Sequence, residues 1–122
     1  MRKMLATLTL CLSLPAAAAA AAADVDQAAA LEALKQPGAV LIDVRTPEEI
    51  EAGALPGARY IGFEDIGTKI AELAPDKHTP IVLYCRSGRR SGIAQDDLRA
   101  RGYTNVQNAG GYSTLKPILD TP

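Results

Sequence analysis

Two short, almost continuous apolar runs constrain the fold of this chain more than any other feature of its sequence. They are residues 39–44, AVLIDV, and residues 81–84, IVLY. Runs of this kind are typical of strands covered on both faces, because a strand with one face in solvent alternates apolar and polar residues. Parallel sheets are covered in this way by helices. The two runs therefore predict an α/β fold with a parallel sheet and helices on both faces.

The segments around these runs supply the helices. Helices are predicted over residues 27–35, 46–52, 63–73, 91–101 and 112–119, and strands over residues 39–44, 59–61, 81–84 and 105–108. Asp26 suits the N-cap of the first helix. Thr46, Pro47 and Glu49 form a capping-box pattern with proline at the first helical position. Strand and helix alternate through residues 24–122, which predicts one domain.

The first 23 residues have a different composition from the rest. Residues 1–4 are basic, residues 5–14 are apolar, and residues 15–23, PAAAAAAAA, fit a small-residue cleavage site before Asp24. This three-part pattern predicts a secretory signal peptide over residues 1–23 and a periplasmic or otherwise exported protein. An uncleaved anchor is the alternative, because a spanning helix needs about 20 residues. Pro15 and the weakly apolar alanines favour cleavage, after which no membrane association is expected.

Charge and cysteine content exclude several classes of function. Without Arg2 and Lys3 the 13 basic side chains fall to 11 against 14 acidic ones, which does not suit nucleic-acid binding. Cys11 leaves with the leader, so Cys85 has no partner for an internal disulfide. An exported free thiol implies a function for that thiol. His78 is the only histidine and is expected at the surface, so no metal site and no cofactor are predicted.

The thiol of Cys85 lies in the loop that joins the second apolar run to a predicted helix. Arg86, Arg89 and Arg90 place three positive charges beside it. Backbone N–H groups of such a loop can form an anion-binding nest at the positive end of the following helix. Gly88 allows the left-handed conformation that a tight ring of amides requires. The pattern predicts a nucleophilic thiolate and a site for an anionic substrate.

Four motifs taken together resemble the single-domain rhodaneses in order and spacing. They are LIDVRTPEE at residues 41–49, GALPGA at 53–58, CRSGRRS at 85–91 and GGY at 110–112. The resemblance covers nearly all of residues 24–122. It implies the rhodanese-like fold, a five-stranded parallel sheet wrapped by helices, and the activity of a thiosulfate sulfurtransferase.

The resemblance also implies a role for each residue of the loop. Cys85 would take a sulfane sulfur from a small anionic donor such as thiosulfate and pass it, as a persulfide, to cyanide, a small thiol or a protein thiol. The Cys-Arg-x-Gly-x-Arg form looks like the thiosulfate-using branch. Arg86 and Arg90 are the first candidates for donor-anion ligands, whereas Arg89 is expected to be more solvated. The implied substrate-binding set is Arg86, Ser87, Gly88, Arg89 and Arg90.

Asp43, Arg45 and Glu49 allow two interpretations. In the first, Asp43 is a general base at the end of a strand. In the second, the three side chains form buried charge-assisted contacts that hold neighbouring loops. The resemblance favours this second, supporting role.

Two other functions are compatible with a thiol in such a loop. One is a non-catalytic rhodanese-like module that docks a protein or senses oxidants through Cys85. The other is a cysteine phosphatase, whose Cys-x5-Arg loop is one residue longer than the interval from Cys85 to Arg90. The shorter ring suits a single sulfur better than a phosphoryl group, which disfavours the phosphatase.

Overall fold

The computed structural model describes residues 24–120, so the predicted signal peptide over residues 1–23 lies outside the described residues. Helices and strands alternate along most of this range. In chain order the elements are α1 Gln27–Leu34, β1 Val40–Asp43, α2 Pro47–Glu51, β2 Arg59–Tyr60, α3 Ile66–Leu73, β3 Ile81–Cys85, α4 Arg89–Ala100, β4 Val106–Gly111 and α5 Tyr112–Leu119.

The strands form one parallel sheet in the order β2-β1-β3-β4. The chain passes from β1 to one edge of the sheet and from β3 to the other. The carboxyl ends of β1 and β3 therefore flank the point where the strand order reverses, which is where open α/β sheets place their ligands.

The parallel sheet is confirmed, but among residues 24–120 it has four strands rather than the five expected. At the β4 edge, Val25 makes only an isolated parallel bridge to Asn108. The backbone N–H of Asp26 also donates to the Asn108 carbonyl. Asp26 then caps α1 by accepting from the Ala29 N–H, so the chain turns into a helix before a fifth strand can form.

Two apolar clusters lie on opposite faces of the sheet, as predicted. Alternate residues of each buried strand face opposite sides, so β1 and β3 supply both clusters. The first cluster joins the sheet to α3 and α4 and includes Ile42, Val44, Ile66, Ile70, Ile81, Leu83, Cys85, Ala94 and Leu98. The second joins it to α1 and α5 and includes Ala30, Ala33, Leu41, Val82, Tyr84 and Leu115.

Most element boundaries fall within three residues of the predicted ones. The capping box of Thr46 and Glu49 is confirmed, with Pro47 in the first helical turn. α3 begins only at Ile66, because residues 63–65 form a turn. β4 runs on to Gly111, so the paired glycines end that strand, and Gly111 is also the N-cap of α5, directly before the final helix as predicted. No helix within residues 24–120 is long and apolar enough to cross a bilayer.

Candidate active site

Cys85 is the last residue of the central strand β3, and its side chain is fully buried. Residues 86–88 turn away from the strand, and α4 begins at Arg89. The turn requires the left-handed conformation predicted for Gly88, whose φ is 97°. Gly88 is the N-cap of α4, so the sulfur lies at the positive end of a twelve-residue helix.

Hydrogen-bond donors of the loop converge on the sulfur. The backbone N–H of Gly88 donates to Cys85 Sγ over 3.0 Å, and the Ser91 hydroxyl oxygen lies 3.5 Å from the same sulfur. Burial by itself raises the pKa of the thiol. Hydrogen bonds from the Ser91 side chain and from the backbone of Ser91, Ser87 and Gly88 outweigh this effect, so the pKa of Cys85 lies below its ordinary value.

The three arginines of the loop are not equivalent. Arg90 donates to both carboxylate oxygens of Glu49, over 2.8 Å and 3.0 Å, in a partly buried pair. Arg86 is largely exposed, and its Nε lies 3.7 Å from the same carboxylate. Arg89 is also exposed. Arg89 is thus in solvent, as the sequence interpretation expected, whereas Arg90, one of its two candidate donor-anion ligands, is paired with Glu49.

Asp43 and Arg45 form a buried pair at the end of β1. Arg45 donates to both Asp43 oxygens through Nε and Nη2, with the shortest contact at 2.7 Å. Arg45 Nη2 also donates to the Gly53 carbonyl over 2.7 Å, and its guanidinium lies 4.4 Å from the centre of the Tyr112 ring. Both Asp43 oxygens are therefore occupied, and the pair holds the loop after α2 against the start of α5.

Glu49 does not join that pair. It links α2 to the loop that follows Cys85 by binding Arg90, and Arg90 lowers its pKa to about 2. The sequence pattern placed Asp43, Arg45 and Glu49 in one supporting group, whereas the structure divides them between two contacts.

Three residues near the sulfur were not singled out from the sequence. Ser91 stands one turn into α4, where its hydroxyl reaches both Cys85 and Asn108. Asn108 is a fully buried amide in the middle of β4. Gly111 touches the backbone of the loop, since a Cβ there would lie 2.3 Å from the Arg86 carbonyl oxygen.

The arrangement suits an anion on the sulfur of Cys85. Backbone N–H groups and a hydroxyl point at Sγ. The exposed guanidinium groups of Arg86 and Arg89 lie at the protein surface. Such a thiolate is a nucleophile, and a second sulfur bonded to it could use the same donors. No group of three or more His, Cys, Asp or Glu side chains within residues 24–120 is arranged to hold a metal ion.

Comparison with known proteins identifies the family. A sequence model of the rhodanese-like domain matches residues 26–116. Thiosulfate sulfurtransferase PspE of Escherichia coli is 43% identical over 74 residues, which are 61% of this chain and 71% of that protein. The structure of a rhodanese with anions from E. coli superposes with a TM-score of 0.60 and 40% identity, covering 62% of this chain and 88% of the other. Human single-domain sulfurtransferase TSTD1 gives a TM-score of 0.62 at 28% identity, covering 83% of this chain and 98% of its own. The chain belongs to the family of rhodanese-like domains.

Proposed function

We propose that this chain is a sulfurtransferase that moves a sulfane sulfur from thiosulfate, or a similar donor, to cyanide or a thiol through a persulfide on Cys85. The observation that carries the proposal is the buried Cys85 sulfur, which accepts the Gly88 N–H at the head of α4. The similarity to PspE, a thiosulfate sulfurtransferase, supports the choice of donor.

The first half-reaction is a displacement at sulfur. The Cys85 thiolate attacks the outer sulfur of thiosulfate and forms a new S–S bond. The bond between the two thiosulfate sulfurs breaks, and sulfite departs with that electron pair. The protein keeps one negative charge on the terminal persulfide sulfur, where loop N–H groups can stabilise it without reorganisation.

The second half-reaction returns the enzyme to its starting state. Cyanide attacks the terminal sulfur through carbon, the persulfide S–S bond breaks, and thiocyanate is released. The Cys85 thiolate leaves with the electron pair, so a sulfur with a lowered pKa is also the better leaving group. A thiol acceptor would react at the same sulfur and carry it away as its own persulfide.

The donor anion has two arginines available at the surface of the loop. Arg86 and Arg89 are exposed and can approach a sulfonate group, whereas Arg90 is held by both oxygens of Glu49. We therefore assign donor binding to Arg86 and Arg89 and give Arg90 a positioning role. With the predicted leader removed, this chemistry would take place outside the cytoplasm, in the periplasm or a comparable compartment.

Release of thiocyanate from thiosulfate and cyanide tests the proposal. The natural protein should turn over, and Cys85→Ser and Cys85→Ala should lose all turnover above the uncatalysed background while keeping the thermal melting temperature. Equal activity in the natural protein and both variants would reject Cys85 as the nucleophile. Inactivity of all three would favour the docking or redox-sensing alternative.

A further inference from the structure

A buried amide on β4 makes three hydrogen bonds, and two of them link it to residues that contact the sulfur. Asn108 Nδ2 donates to the Gly88 carbonyl over 2.9 Å. Asn108 Oδ1 lies 2.7 Å from the Ser91 hydroxyl and accepts the Gly110 N–H over 3.0 Å. The amide oxygen therefore uses both of its acceptor sites, one for Ser91 in the first turn of α4 and one for Gly110 within β4. One of the two amide N–H groups is used for Gly88 in the loop.

The Ser91 hydroxyl has one hydrogen and two neighbours that can accept it. Asn108 Oδ1 is the closer at 2.7 Å, and Cys85 Sγ is 3.5 Å away. While Cys85 is a thiol, the hydrogen belongs to the shorter contact, and the S–H group can donate to Ser91 Oγ. Once Cys85 Sγ is ionised, a charge-assisted bond from the Ser91 hydroxyl to that sulfur is the stronger of the two.

The bond to Gly88 affects the other donor. The Gly88 carbonyl accepts from Asn108 and from the Gly92 N–H. The N–H of the same residue donates to Cys85 Sγ. Because the left-handed Gly88 backbone carries both groups, fixing its carbonyl restrains the direction of its N–H.

We propose that Asn108 is a positioning residue for the Cys85 sulfur, acting through the Gly88 backbone and through a Ser91 hydroxyl that turns from the amide to the sulfur when the sulfur becomes anionic. The inference rests on the proposed function for its kinetic consequences, but its central effect is on the ionisation of Cys85. The ionisable groups around the site include Arg86 in the loop, Arg89 and Arg90 at the start of α4, Glu49 on α2, and the Asp43–Arg45 pair at the end of β1. β4 contributes no ionisable side chain, so a change at Asn108 leaves these groups in place.

Thiolate absorbance in the ultraviolet, followed against pH with the titration of Cys85→Ser subtracted, measures this ionisation directly. Asn108→Asp removes the donor to Gly88 and places a carboxylate beside Ser91. We expect it to raise the midpoint of the Cys85 titration by about one pH unit, which is about tenfold less thiolate below the midpoint. Ser91→Ala should shift the midpoint in the same direction. Asn105→Asp, a change at a partly buried amide before β4 that donates to Gln36, is the matched control and should leave the midpoint unchanged.

Turnover of the same proteins adds a second signature. In Asn108→Asp the kcat for thiosulfate should fall by up to about tenfold near neutral pH and recover at higher pH, with KM little changed. A folded Asn108→Asp with the natural titration midpoint, or a shift of equal size in Asn105→Asp, would overturn the proposal. If Asn108→Asp does not fold, the titration of Ser91→Ala is the test. An unchanged midpoint of the Cys85 titration in Ser91→Ala would then overturn the proposal. Because the titration uses no thiosulfate, a protein without turnover would still report the predicted shift.

Discussion

Glu49 joins the short helix α2 to the first turn of α4, which follows the Cys85 loop, across 41 residues of sequence. Its carboxylate takes both terminal nitrogens of Arg90, and each side chain is only about one-fifth exposed. Bidentate pairs in such partly desolvated places are stronger than surface ion pairs. The contact ties the start of α4 to α2. It thereby restrains the loop between Cys85 and α4, although arginine side chains are long and flexible.

The Glu49–Arg90 pair should make the stability of the protein depend on acid pH. Arg90 lowers the pKa of Glu49 from 4.5 to about 2 in the folded chain. A depressed pKa stabilises the folded state above the unfolded value, and this contribution is lost as pH falls from about 4.5 towards 2. Glu49→Gln should therefore lower the free energy of unfolding at neutral pH by about 1–3 kcal/mol and by less in acid.

Denaturant unfolding at several pH values measures this difference. Glu32→Gln is the matched control, because Glu32 forms an exposed pair with Lys35 that contributes little to stability. The difference in free energy of unfolding between the natural protein and Glu49→Gln should shrink in acid. If it stayed constant from neutral pH to about pH 2, the Glu49–Arg90 pair would not be the source of the pH dependence.

Besides the hydrogen bond from the Asn108 side chain, β4 contacts the loop after Cys85 through the backbone of Gly111. β3 and β4 change register between Leu83 and Cys85, which places Gly111 opposite Cys85. A Cβ at Gly111 would lie 2.3 Å from the Arg86 carbonyl oxygen and 3.7 Å from the Ser87 Cα. Irregular register is common beside active sites, where it redirects a strand. Here it lets the end of β4 support the loop directly.

Gly111→Ala should consequently displace the loop and impair turnover. The backbone of Arg86 cannot move aside as a flexible side chain would, so we expect a loss of stability of about 1–3 kcal/mol. We expect kcat to fall at least about tenfold, because small displacements of oriented donors are costly in catalysis. Gly62→Ala is the control, since a Cβ there meets only the end of the Tyr60 side chain at 3.3 Å. Natural turnover in Gly111→Ala would show that the loop does not depend on this contact.

Sequence patterns were sufficient for the elements but not for the contacts between them. The sequence predicted the apolar runs of β1 and β3, the Asp26 cap and the Thr46 capping box. Each of these features depends on residues close together in the chain. Contacts of Ser91 with Asn108 and of Arg90 with Glu49 span 17 and 41 residues, and no spacing rule predicts them. The close approach of Gly111 to the Arg86 backbone likewise joins segments far apart in the chain, so the glycine pair alone did not predict it.

In the molecule as a whole, the sulfur is attached to a fully buried inner strand of the sheet. β3 lies between β1 and β4, and all five of its residues are buried between the two apolar clusters. The loop, by contrast, is supported from several directions: α2 through Glu49, β4 through Asn108 and Gly111, and α4 through Ser91. The fold thus holds the Cys85 sulfur at the end of a buried strand. The hydrogen-bond donors around this sulfur are positioned by several elements at once.

The intact mass of the protein after incubation with thiosulfate tests the central claim most directly. We expect the mass to increase by one sulfur atom, located on the peptide that contains Cys85. Cyanide should remove this sulfur and release thiocyanate. Cys85→Ser should gain nothing under the same conditions. An unchanged mass in a folded natural protein, or an equal gain in Cys85→Ser, would contradict the claim that Cys85 carries the transferred sulfur.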